Sequence, residues 1–310
     1  MASRDPRADI VDSDPFPQPK IRRIHSSESS SGSSMFTIED LQNMFTGKQA
    51  APQPTGNKKI WEFSDIEKQH LGLATAAFTL ALGFMAVRGL SGISTLGINT
   101  WLVTLLLAMP VMLFAVGPAF ILHEIGHKIV AKKYGCWAEF RADPKGLRFG
   151  IMLSFFLGIL FMAPGAVMVS GLVKRRYNGY VAVAGPLTNL SLFIIGIPIW
   201  VIILGLSGAF DSTHTPLFES GISLNTYLDG NNILWHSMLI DAGIVWLFAN
   251  LTLGLFNMIP WGPLDGAKVK DWNELVFDGV FIIFLIPVLG MIFGAWSPAT
   301  LLEGLVNTIF

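Results

Sequence analysis

From Thr100 to His127 the chain reads TWLVTLLLAMPVMLFAVGPAFILHEIGH. No residue from Thr100 to Leu122 is charged, so the stretch is long and apolar enough to span a bilayer core as a helix. It closes on His123-Glu124-Ile125-Gly126-His127. On a helix, residues i and i+4 share a face, which brings both imidazoles to one metal ion with the carboxylate of Glu124 beside it. Motifs of this kind usually work in water. This one ends a membrane span.

The rest of the composition agrees with a membrane setting. Hydrophobic residues make up 52% of the chain, charged residues 14%, and mean hydropathy is +0.53, outside the usual soluble range. A net charge of -1 gives no reason to expect nucleic-acid binding. The single cysteine, Cys136, excludes an intrachain disulfide or a multi-thiolate zinc site and reads as a small buried side chain. Residues 1–57, rich in Ser, Pro, Asp and Gln, contain no apolar segment of the signal-peptide kind, and they read as a disordered cytoplasmic tail. Within them Met35 to Phe45 forms an amphipathic island that Thr37 and Asp40 would cap, either a transient helix or a docking element. Residues 58–310 are expected to form one integral-membrane domain.

Apolar runs cover Leu71–Val87, Ile98–Val130, Gly150–Leu172, Val181–Leu206, Leu234–Met258 and Val276–Phe293, and Pro298 to Phe310 is too short to span. Pro110 and Pro118 predict a kink in the second run. Beyond Arg88, every Lys and Arg falls between Lys128 and Arg176 or at Lys268 and Lys270. The positive-inside rule then places both basic regions in the cytoplasm and the loop with Asp211, Glu219 and Asp229 outside. Basic residues flank Gly150–Leu172 on both sides, so that run is predicted to enter and return, reversing at Met162-Ala163-Pro164-Gly165-Ala166. The alternative is a plain crossing. The fold class expected is an all-α polytopic membrane protein with about five to six transmembrane helices and a re-entrant element between the second span and the next.

With that topology, the segment Ile259-Pro260-Trp261-Gly262-Pro263-Leu264-Asp265-Gly266 ends its span on the side where HEIGH ends. A catalytic zinc usually takes three protein ligands and keeps one position open. His25, His70, His214 and His236 are badly placed, and Asp265 reads either as the third ligand or as a turn carboxylate before Gly266. Glu124 is the candidate general base. Asn189 and Asn257 read as contacts for the oxyanion or substrate backbone, or as inter-helix polar contacts. Gly185 and Pro186 read as serving close packing and a helix start. An extended substrate is expected to add as a strand beside Pro164, Gly165, Ala166, Val167 and Met168.

HEIGH, then Gly185-Pro186-Leu187-Thr188-Asn189, then Asn257-Met258-Ile259-Pro260 and Leu264-Asp265-Gly266, resembles the site-2 protease family of intramembrane zinc metalloproteases. The resemblance covers about residues 100–270. It implies a three-helix catalytic core with a re-entrant sheet or hairpin, one zinc per chain held by His123, His127 and Asp265, and cleavage of a membrane-protein substrate within the lipid bilayer near the cytoplasmic face. Release of a membrane-tethered regulator is the expectation that comes with it. The chain departs from the family around Ala163-Pro164-Gly165-Ala166, where a second glycine is usual. Two other readings compete. A zinc transporter would need His, Asp or Glu at mid-depth on several spans, which are scarce here. A metal-binding pseudoprotease that escorts membrane helices would lack Glu124 or a ligand, and all are present.

Overall fold

A computed structural model describes residues 61–162, 164–170, 174–211, 227–229 and 232–310. The tail expected over residues 1–57, with its Met35–Phe45 island, lies outside the described residues. Five helices among those described are long and apolar enough to cross a membrane: α1 (Asp65–Ala86), α3 (Ile98–Lys133), α5 (Arg175–Ser207), α6 (Trp235–Asn257) and α8 (Glu274–Ile292). Short helices α2 (Ser91–Leu96), α4 (Pro144–Leu157), α7 (Asp265–Trp272) and α9 (Pro298–Ile309) join or flank them. The protein is an all-α polytopic membrane protein; among the described residues it has two small two-stranded sheets, β1 (Trp137–Ala142) with β2 (Gly165–Ser170), and β3 (Leu228–Asp229) with β4 (Asn232–Ile233).

The helix starts follow local chemistry. Ser64 caps α1 by accepting from the Glu67 N–H at 3.2 Å, and Asp65 and Glu67 put negative charge in the first turn. Asn273 caps α8 through the Val276 N–H. Helix α3 continues through Pro110 and Pro118 and is about 54 Å long at 1.5 Å per residue, well beyond the hydrocarbon thickness. Its last turns, with HEIGH, therefore run on past a simple span. Apolar packing joins α3, α5, α6 and α9 in one cluster, and α1, α3, β1 and α4 in a second.

The run Gly150–Leu172 does not form a spanning helix. It begins inside α4, whose 14 residues reach only about 21 Å. That helix stops at Gly158, which takes the left-handed conformation (φ 67°). The chain then forms β2, antiparallel to β1 with Trp137 opposite Ser170 and Ala142 opposite Gly165. The element therefore ends beside the place where it began. The reversal falls at Gly158, before the expected Met162–Ala166, because glycine adopts positive φ without a Cβ penalty. Pro186 also departs from its expected role: it lies well inside α5 and starts no helix.

Candidate metal centre

His123 and His127 stand one turn apart on α3, with their rings nearly perpendicular. Their Nε2 atoms are 3.0 Å apart. Asp265, the first residue of α7, brings Oδ2 to 3.4 Å from His123 Nε2 and 3.0 Å from His127 Nε2. All three side chains are buried. A tetrahedral zinc with bonds of about 2.0–2.1 Å separates its donors by about 3.3 Å, so the observed spacings suit it.

Hydrogen bonds behind the rings settle which atoms face the centre. His123 Nδ1 meets Asn189 Oδ1 at 2.5 Å, and His127 Nδ1 donates to the Val181 carbonyl at 2.7 Å. Both partners only accept, so the Nδ1 atoms carry the protons and the Nε2 lone pairs point at one another and at a carboxylate. Two lone pairs and an anionic oxygen at this spacing repel unless a cation lies between them. The donor set fits zinc.

Glycines make the room. A Cβ on Gly185 would lie 2.4 Å from His127 Nε2 and 2.5 Å from His123 Nε2, so no other residue fits there without displacing a ligand. One on Gly126 would meet Thr188 Oγ1 at 2.4 Å, which lets α3 and α5 close on each other. One on Gly266 would meet the Met258 carbonyl at 2.1 Å. That close approach lets α7 start against the end of α6 and aims Asp265 at the histidines. Lys268, one turn along α7, holds the other Asp265 oxygen at 3.3 Å.

Glu124 is buried, and its Oε2 has no hydrogen-bond partner among the described residues. It faces a cavity of about 400 Å³ shared by His123, His127, Asp265, Asn257 and the start of β2. Asn257 lines this cavity while donating one amide N–H to the Leu253 carbonyl at 3.0 Å. Asn189 takes the inter-helix alternative: it is fully buried behind His123, bonded to it and to α3 and α6. It does not face the cavity as an oxyanion contact would.

Pro164, Gly165, Ala166 and Val167 line the cavity, while Met168 is exposed away from it. On the far side of the hairpin, the Phe140 N–H donates to Glu67 Oε1 (3.2 Å) and the Ala142 N–H to His70 Nδ1 (3.1 Å). Those two amides point away from β2. By the antiparallel alternation, their partners Val167 and Gly165 turn their own N–H and C=O groups away from β1. The sheet therefore has one edge covered by α1 and one edge facing the histidines and Glu124, whose carboxyl the Val167 N–H approaches. Sequence reading missed the covering network, in which Lys128 pairs with Glu67 and sits 3.7 Å over the Phe63 ring. Its only signal was a glutamate and a lysine near the ends of two span-length helices.

No model of a known protein family matches the chain, and no solved structure matches it. The chain is 36% identical over 173 residues to zinc metalloprotease MJ0611 of Methanocaldococcus jannaschii, a match covering 56% of this chain and 75% of that protein. It is 28% identical over 197 residues to zinc metalloprotease YwhC of Bacillus subtilis, covering 57% of this chain and 80% of the relative. These two carry the name by inference. A third relative, zinc metalloprotease MJ0392 of M. jannaschii, is 30% identical over 149 residues, 48% of this chain and 30% of its own length.

Proposed function

This chain belongs to the zinc metalloprotease family, and from that premise we propose that it is an intramembrane endopeptidase of the site-2 protease type. Its substrates are membrane proteins, cut within or next to a transmembrane segment. The observation that carries this reading is the position of the donor set. His123, His127 and Asp265 meet inside a bundle of span-length apolar helices, beside a strand edge that faces them.

Zinc held by these three residues supplies a water of pKa about 7 and polarisation of the scissile carbonyl. The chain's own groups do the rest. Glu124, with a free oxygen in the cavity, takes the proton from the attacking water and returns it to the leaving amine. The site-facing edge of β2 receives an unwound substrate segment through Gly165 and Val167, holding its carbonyls near the metal side. A helical substrate hides its amides in its own hydrogen bonds, and an extended partner strand exposes the carbonyl to attack. Asn257 lines the same cavity and is the candidate contact for the oxyanion or substrate backbone. The active-site end faces the cytoplasm in this reading, as the basic residues around it favour.

The test is cleavage of a single-span reporter by the purified chain reconstituted in liposomes. Glu124→Gln is expected to keep zinc and lose at least about 100-fold in rate, the low end for a general base. Cleavage confined to soluble loop segments, or unaffected by Glu124→Gln, would count against the proposal.

A further inference from the structure

We infer that Asn250, on α6, is a positioning residue for His123 and acts through Asn189; this rests on reading His123 as a zinc ligand. The two histidines are oriented differently. His127 leans on the Val181 backbone carbonyl, which the helix holds in place. His123 leans on a side-chain amide, which can turn over. Turned, Asn189 would offer its NH2 to Nδ1, the His123 proton would move to Nε2, and the lone pair facing Asp265 would be lost.

What prevents this is a chain of amides with a single polarity. Asn189 Nδ2 donates to the Ala119 carbonyl and to Asn250 Oδ1, both at 3.0 Å. Asn250 Nδ2 donates in turn to the Trp246 carbonyl at 2.9 Å. Each amide is thereby held with its oxygen toward the next donor, from the backbone of α6 to the imidazole on α3. Asn189 and Asn250 are both fully buried, so no water replaces a missing link. The lock also ties α6, which leads into Asp265, to the helix that carries the other two ligands.

The experiment measures zinc affinity of the full chain in detergent by chelator competition, with the absorption spectrum of the cobalt-substituted protein as a second readout. Asn250→Leu keeps the branched shape of the side chain without its polar atoms and suits an apolar bundle. It is expected to elute and fold as wild type, to weaken zinc about 10- to 100-fold, and to alter the cobalt bands. Asn250→Asp, as the neutral acid, still accepts from Asn189 and donates to Trp246, so it should bind zinc more tightly than the Leu variant. A merely structural role would lower stability while leaving the zinc affinity and cobalt bands of the folded Leu variant as in wild type. Wild-type zinc affinity and cobalt bands in folded Asn250→Leu would overturn the inference, and that variant decides alone should Asn250→Asp not fold. A wild-type chain that binds no zinc would instead remove the reading on which the inference stands.

Discussion

Gly185 is the residue on which the donor set depends most and which a search for ligands overlooks. In a helix interior glycine costs about 0.5–1 kcal/mol relative to alanine, yet here a Cβ would press on both Nε2 atoms. Gly185→Ala is therefore expected to abolish stoichiometric zinc binding. Gly117→Ala on α3, whose Cβ would meet only ordinary contacts beyond 3.5 Å, should bind zinc normally and gain up to about 1 kcal/mol. The two variants, compared by zinc content and thermal stability, separate a spatial requirement from a general dislike of substitution. The Glu67–Lys128 pair gives a second contrast. Both side chains are almost completely buried, and removing one partner leaves an uncompensated charge. Lys128→Met alone should cost about 3–5 kcal/mol, and adding Glu67→Leu should recover most of it, apart from the lost cover on Phe140 N–H. Denaturation in detergent checks this, and equal loss in single and double variants would contradict it. At this scale the ligating types were legible because HEIGH has helical spacing and Asp265 is an ionised group in an apolar setting. Gly185 was legible as a close-packing glycine, but its packing against the ligand nitrogens and the role of Asn250 were not, because an absent side chain and a lone buried amide acquire meaning only from what packs against them.

At the scale of elements, the re-entrant unit is where chain pattern and structure part. Its return was readable from the basic residues on both flanks. Its internal form was not: a continuous apolar run has no period that separates a helix from a strand, and the change from α4 to β2 turns on which glycine takes positive φ. Gly158 does so at the reversal. Gly165, at φ 131°, lets β2 begin against the Arg141 carbonyl, which a Cβ would approach to 2.1 Å. Gly165→Val is thus expected to distort the hairpin, keep zinc, and reduce cleavage of a transmembrane reporter at least about tenfold, since the substrate edge would be lost. Unchanged cleavage in a folded Gly165→Val variant would rule out strand addition at β2.

For the whole molecule, the deciding fact is one of parity. His123 and His127 lie near the end of α3, and Asp265 follows α6, with the hairpin element and α5 between. Their meeting requires the hairpin to return to the end it left, so that only α5 and α6 cross between the two motifs. Labelling of single cysteines in a Cys136→Ser background tests the resulting topology. Cysteines at Lys133 and Lys270, both exposed, should react with an impermeant maleimide from the same side, the cytoplasmic one. A cysteine at Asn232, before α6, should react only from the other. Reaction of positions 133 and 270 from opposite sides would break the fold.

The most direct measurement of the central claim is zinc per chain in the purified protein, compared between wild type and Asp265→Ala. Close to one zinc per wild-type chain is expected, and a loss of affinity of at least about tenfold when Asp265 is removed, since two imidazoles alone do not complete a catalytic zinc site. Zinc bound equally well without Asp265 would contradict that claim, because the third ligand would then lie elsewhere and the convergence of α3 and α7 would have another cause.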